Sequence, residues 1–255
     1  MNPGYAVREI DIIARLDHEN IVKLQQGQVP LHRHDTPWIV TEFCDKKTLQ
    51  DVIRSHRQKK QLVPELFAWQ VFASLARAVS HCHNGDPMNS FWDEITHRDI
   101  ILNNIFIKTN ERSQRYEYPL TVKLGDWGCG VTQSEWNSCS LTLDDLPVAD
   151  YDYDTPENAN PSQATDVYQI GVVMCCLLCL REMPGLDLDA LERHQRWPGC
   201  HYSYSQDIRD LIIACIKEDP EKRPSANMLA IFVQQRCANL IAKGRLAKEP
   251  FEFGG

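Results

Sequence analysis

His97-Arg98-Asp99-Ile100-Ile101-Leu102-Asn103-Asn104 is the most telling run of side chains in the sequence. It sets a carboxylate and an amide five positions apart on one loop, and the apolar run Ile105-Phe106-Ile107 continues it as a short strand to Lys108. Asp99 and Asn104 both present oxygen acceptors, so the pair suits orientation of a hydroxyl and ligation of a hard cation. Beyond the polar stretch Thr109 to Tyr118, a second strand, Leu120 to Leu124, delivers Gly125-Asp126-Trp127-Gly128, whose glycines permit a sharp turn. The two strands read as a hairpin. Two oxygen ligands, Asn104 and Asp126, can then converge on Mg²⁺.

Outward from this hairpin the pattern is mostly helical. Pro64 suits the first turn of a long helix running to about His83, with Leu66, Phe67, Val71, Leu75, Ala78 and Val79 on its buried face. Asn84 to Glu94 is polar and reads as a loop. Further upstream, Val7, Ile10, Ile13 and Leu16 follow helical spacing. Asn20 to Leu24 and Trp38 to Phe43 read as extended, and a helical pattern resumes at Thr48. Downstream, Gly128 to Pro161 shows little periodicity and reads as a structureless stretch, either functional or disordered. Thr165 to Leu180 is apolar nearly all round and predicts a buried helix, with further helices over Gln206 to Lys217 and Ser225 to Ile241. No internal repeat interrupts the series. The expected plan is a small helix-plus-strand cap on a mainly helical body.

The 255 residues fit one large domain or two small ones, and 43% hydrophobic with 24% charged residues is a globular composition, not that of a disordered chain. Lys plus Arg number 27 against 35 Asp plus Glu, and the resulting net charge of -8 argues against a general nucleic-acid binder. Met1 to Ile10 has no apolar run behind a basic start, so no signal peptide is expected. The longest apolar run, Ile170 to Leu180, falls well short of the roughly 20 residues that span a bilayer. Ten cysteines without a secretory signal read as thiols of a reducing compartment, cytoplasmic or nuclear. Cys175, Cys176 and Cys179 sit in an apolar run and read as core packing. Neither His32 with His34 nor His81-Cys82-His83 is a metal motif by itself.

At this point the chain resembles the eukaryotic protein kinases of serine/threonine type. Their H-R-D-x-x-x-x-N pattern is matched by His97 to Asn104, and their D-F-G by Asp126 to Gly128, with Trp127 where Phe is usual. Thr155-Pro156-Glu157 stands in place of A-P-E, Asp166 lies near the start of the buried helix, and Asp219 to Pro224 completes the series. The resemblance implies an α+β, protein-kinase-like fold with a mainly helical large lobe and an incomplete small lobe. Residues 1–43 would be the residual small lobe and 44–255 the large lobe. It implies ATP and Mg²⁺ as cofactors, Asp99 and Arg98 in the catalytic loop, and Asn104 and Asp126 on the metal. Glu9 matches the glutamate of the family's αC helix, Thr41 its gatekeeper, and Glu42-Phe43-Cys44 the hinge whose backbone bonds adenine. Glu157 and Arg223 would form an ion pair, and Asp166 would brace the loop backbone.

The departures carry equal weight. A glycine-rich loop over the phosphates and a lysine paired with the αC glutamate are part of the family pattern. Neither occurs here. The chain is expected to begin at αC, without the first three strands, whether by truncation or by loss. Lys46-Lys47 replaces a common Gly-Gly after the hinge, and Lys46 is set too far beyond it to stand in for the missing lysine. Ile101 and Asp150 replace a Lys and a Thr that touch in the family, which orphans no buried lysine but removes a charge from the transferred group. Asp150-Tyr151-Asp152-Tyr153-Asp154 would favour basic peptides. Arg98 suits control by phosphate on the activation segment, where Ser134, Ser138, Ser140 and Thr142 are acceptors. The implied function is ATP-dependent phosphoryl transfer to protein Ser/Thr hydroxyls, weak or absent in this chain alone. The alternative is a pseudokinase or kinase-lobe fragment serving as a scaffold. The partner is a protein, substrate or otherwise, not nucleic acid or membrane, and no oligomeric state is implied. The edge along Trp38 to Phe43 would invite pairing.

Overall fold

A computed structural model describes residues 3–29, 37–86, 91–110, 118–138, 155–157, 162–182, 203–246, 249 and 251. In chain order the helices are α1 (Pro3–Ala14), α2 (Leu49–Lys59), α3 (Glu65–Asn84), α4 (Gln133–Asn137), α5 (Gln163–Cys179), α6 (Gln206–Cys215) and α7 (Ala226–Ala242). The strands are β1 (Leu24–Gln28), β2 (Trp38–Thr41), β3 (Ile95–Thr96), β4 (Ile105–Thr109), β5 (Leu120–Leu124) and β6 (Val131–Thr132). They pair antiparallel as β1 with β2, β3 with β6 and β4 with β5. The architecture is α+β, as the resemblance implies.

Helix α3 forms the axis of the body. Its Phe67, Trp69 and Phe72 are fully buried, and it packs on α5, α7 and β5. Helix α5 is buried at every position from Thr165 to Leu178. Cys175 and Cys176 therefore act as small apolar core residues. Thr48 starts α2 with a reciprocal cap: its hydroxyl accepts from the Asp51 amide, and the Asp51 carboxylate accepts from the Thr48 amide. The β4–β5 hairpin runs in register from Ile105 opposite Leu124 to Thr109 opposite Leu120.

Two expectations need correction. The strand expected over Asn20 to Leu24 forms instead at Leu24–Gln28. Asn20 and Val22 are taken by the hairpin, since the Leu124 amide donates to the Asn20 carbonyl (2.8 Å) and the Val22 amide to the Leu124 carbonyl (2.8 Å). The segment from Gly128 on is also not structureless at its start. Val131–Thr132 pairs with Ile95–Thr96, and Thr132 caps α4 reciprocally with Glu135. Among the described residues no helix is long and apolar enough to cross a membrane.

Candidate active site

The loop from His97 is held from beneath by α5. Asp166, in the first turn of that helix and fully buried, accepts the amides of His97 (2.9 Å) and Arg98 (2.9 Å) and bonds His83 Nε2 at 2.9 Å. Gln169, on the same helix, accepts the Ile100 amide (3.0 Å) and donates to the Arg98 carbonyl (2.8 Å). Four backbone groups of the loop are thereby satisfied by two side chains, which is what lets so irregular a segment lie buried. Arg98 takes a left-handed φ of 68°. Its guanidinium donates to the Cys129 carbonyl at 3.0 Å. The His97 ring bonds the Gly125 carbonyl through Nε2 (3.2 Å) and meets Trp127 edge-on, centroids 4.4 Å apart.

These ties fix the loop against the end of β5. The Gly125 amide donates to the Asn104 carbonyl at 2.9 Å, so Asn104, just before β4, and Asp126, just after β5, are joined by their backbones. Asn104 Nδ2 donates to the Asp99 carboxylate (2.9 Å) and carbonyl (3.0 Å). Its Oδ1 accepts from none of the described residues. Asp126 is exposed at a left-handed φ of 65°, with Oδ1 accepting the Gly128 amide at 3.3 Å. An amide oxygen and a carboxylate on tethered strand ends fit a hard divalent cation.

Beside them lies a cleft of about 580 Å³, lined by Glu9, Ile13, Val22, Ile39, Thr41, Glu42, Phe43, Cys44, Lys47, Thr48, Phe106 and Asp126. All five residues expected to contact a nucleotide, Glu9, Thr41, Glu42, Cys44 and Asp126, share this cleft, whereas Asp99, Arg98 and Asn104 are not among its lining. The Glu42 carboxylate is spent: it bonds Lys123 (2.7 Å), Lys108 (2.7 Å) and the Lys23 amide (2.9 Å). Burial pushes this carboxyl up, but those partners together hold it below the usual range. Its backbone amide donates to the Lys23 carbonyl, so that group is not available to a ligand. The Glu42 carbonyl and the Cys44 amide have no backbone partner among the described residues, and such groups seek a hydrogen bond once water is excluded. Glu9 has no ion-pair partner among the described residues. Burial and the Asp126 charge both raise its pKa.

The remaining expected residues are placed as follows. Arg223 grips Glu157 bidentately, Nη1 to Oε1 at 2.6 Å and Nη2 to Oε2 at 2.8 Å, joining the end of the activation segment to the turn before α7. Ser134 bonds Asp93 through its hydroxyl (2.6 Å), and the Ser138 hydroxyl donates to the Glu135 carbonyl (2.8 Å). Ile101 packs against the core. His32, His34, Ser140, Thr142 and residues 150–154 lie outside the described residues. Sequence reasoning missed His83, Gln169 and Lys123. The i, i+3 spacing of Asp166 and Gln169 on one buried helix was the available signal for Gln169.

The protein kinase domain model matches residues 2–232. The chain is similar to serine/threonine-protein kinase 33 of Bos taurus, 31% identical over 179 residues that cover 68% of this chain and 32% of the relative. It is similar to serine/threonine-protein kinase Nek2 of Mus musculus, 25% identical over 260 residues, 96% of this chain and 54% of the relative. With Nek11 of Homo sapiens it shares 25% identity over 259 residues, 95% of this chain and 36% of the relative. The chain spans from 20% to 54% of the length of such curated relatives.

Proposed function

The chain belongs to the protein kinase family, and on that premise we propose that it carries the nucleotide cleft and catalytic loop of a serine/threonine-type protein kinase. The observation that carries this reading is the convergence of Glu9, Thr41, Glu42, Cys44 and Asp126 on one cleft beside a loop that α5 holds rigid. In this reading residues 1–43 are the small lobe and 44–255 the large one, with the cleft between them. The Glu42 carbonyl and Cys44 amide receive an adenine edge. Asp99, oriented by Asn104, accepts the proton of a serine or threonine hydroxyl as its oxygen bonds phosphorus and ADP leaves. Asn104 and Asp126 would hold Mg²⁺, which when bound neutralises phosphate charge. No lysine among the described residues pairs with Glu9, and loss of such anchoring costs on the order of 10² to 10⁴ in turnover. We therefore expect weak transfer by this chain alone. A second reading, a pseudokinase scaffold, is favoured by the same uncompensated Glu9 and by Ile101 packing into the core where a charged contact would be needed.

A thermal-shift titration with Mg²⁺-ATP on the wild type and on Asp126→Ala separates the two, because a ligand that binds the native state raises its midpoint. The catalytic reading expects a rise in the wild type that Asp126→Ala abolishes. A folded wild type with no shift would leave the scaffold.

A further inference from the structure

Gln169 is 2% exposed on α5, one turn beyond Asp166, and both ends of its amide are used on the loop. Nε2 donates to the Arg98 carbonyl at 2.8 Å, and Oε1 accepts the Ile100 amide at 3.0 Å. Those two groups belong to the peptide units on either side of Asp99. Because each unit is planar, the conformation of a residue is set by the two dihedrals that join its flanking units. One side chain therefore holds both φ and ψ of Asp99.

The division of labour along α5 follows from the chemistry of its two side chains. An ionised carboxylate only accepts, and Asp166 takes two amides, those of His97 and Arg98. A neutral amide carries a donor and an acceptor in one plane, and Gln169 takes one C=O and one N–H. Arg98 lies between them, its amide held by Asp166 and its carbonyl by Gln169. Its left-handed φ of 68°, which a non-glycine residue adopts only at a cost, is thus fixed from both sides by the buried helix.

Other contacts of Asp99 stay within the loop. Asn104 Nδ2 donates to its carboxylate and carbonyl, and its own amide donates to His97 Nδ1 at 3.2 Å. The Gln169 amide ties the same residue to the core instead.

We propose that Gln169 is a positioning residue for phosphoryl transfer. By fixing both dihedrals of Asp99 from α5, it sets the direction of the carboxylate that takes the hydroxyl proton as the hydroxyl oxygen bonds phosphorus and the bond to ADP breaks. This rests on the catalytic reading of Asp99. It gives Gln169 more than the satisfaction of two buried polar groups, which a water could also achieve without fixing an angle.

The test compares the wild type with Gln169→Met, Gln169→Ser and Val173→Ala. Methionine keeps the volume without a donor or an acceptor, and serine leaves room for a water between the Arg98 carbonyl and the Ile100 amide, so that variant folds even where the first does not. Val173→Ala truncates a fully buried residue one turn further along α5 and lowers stability with the Gln169 amide still in place. Initial rates of ADP formation from Mg²⁺-ATP with a basic serine-containing peptide give kcat and KM, and amide exchange at Ile100 reads the clamp itself. Misplacement of the base predicts kcat about 10- to 100-fold lower in both Gln169 variants, with KM for ATP within about twofold of wild type. Exchange at Ile100 should be about tenfold faster in both, whereas Val173→Ala keeps kcat within about twofold at a temperature where every protein is folded. Gln169→Ser at wild-type kcat despite faster Ile100 exchange overturns the proposal and leaves the catalytic reading of Asp99 standing. A loss of kcat in Val173→Ala as large as in the Gln169 variants assigns the effect to general loosening of α5 and overturns it as well. A folded wild type that forms no ADP overturns the catalytic reading and the proposal together.

Discussion

Trp127 is fully buried beside the loop that starts at His97, edge-on to that ring, and its indole Nε1 has no hydrogen-bond partner among the described residues. An unpaired buried donor costs about 1–3 kcal/mol, while truncating a buried ring leaves a cavity of comparable cost. The two effects oppose in Trp127→Phe, which removes the orphan N–H and part of the ring at once. Trp127→Phe is therefore expected within about 1 kcal/mol of the wild type, whereas Trp127→Ala loses about 3–5 kcal/mol, both read from urea unfolding. A Phe variant as damaging as Ala would mean that the indole N–H is satisfied in solution. At this scale the sequence was most informative where a side chain's role follows from its motif. The brace that Asp166 forms under the loop and the Glu157–Arg223 ion pair were legible from residue order. The clamp of Gln169 was not, because it depends on how the loop turns its backbone toward α5, and no side-chain type announces that turn.

The elements that position the site meet at one close contact. Gly171 lies on α5, two residues beyond Gln169, where the helix meets the end of α6. A Cβ added there would sit 2.6 Å from Ile216 Cγ2 and 2.7 Å from Cys215 Cβ. Alanine favours a helix over glycine by about 1 kcal/mol, but overpacking a tight core costs about 1–3 kcal/mol and the contact lies at the α5–α6 seam. Gly171→Ala is expected to lower the urea midpoint. It should also raise amide exchange at His97 and Arg98, whose N–H groups depend on α5 staying in place. A midpoint at or above wild type would show that α5 and α6 separate easily. The helices themselves were readable from periodicity: expected spans such as Thr165 to Leu180 and Ser225 to Ile241 differ from α5 and α7 by one or two residues. The strands were read less well. β1 has the sequence Leu-Gln-Gln-Gly-Gln, with no apolar alternation, and is a strand only because β2 pairs with it. β3 and β6 are two residues each, too short for any period. α4 carried a readable signal in Thr132-x-x-Glu135, a capping box that the polar composition around it concealed.

Across the whole molecule the segment 18–21 is the seam between the first helix and the helical body. Lys123 Nζ donates to the carbonyls of Glu19 (2.8 Å) and Ile21 (3.2 Å), Arg77 Nε donates to Asn20 Oδ1 (3.2 Å), and the His18 ring stacks on His81 with centroids 5.2 Å apart. Burial, with the His81 ring adding to it, pulls the His18 imidazole down to about 4. Between that value and about 6.5 the unfolded chain binds a proton that the native seam refuses, so stability falls as pH drops through this window. The carboxyl of Glu157 acts lower: burial raises it, but the Arg223 bonds outweigh burial and leave it below 4.5, so its contribution is lost only as pH falls through that depressed value. Glu9 acts in the opposite sense. Its raised pKa means that ionisation costs the fold at neutral pH, and protonation returns that stability as pH falls toward 4.5. His56 and His81, whose imidazoles burial also pulls down, act in the same sense as His18, so the slope between pH 7 and 5 is set by these histidines against Glu9, and removing His18 should make it shallower. His18→Gln is expected to gain on the wild type by about 1 kcal/mol at pH 5 relative to pH 7, after allowance for solvent screening, or roughly 2–4 °C in Tm. Calorimetry of both proteins at pH 7, 6 and 5 reads this directly. Parallel Tm curves would place the acid-sensitive group elsewhere, whereas a gap that widens steadily toward pH 5 locates the titrating group at the seam between α1 and the helical body.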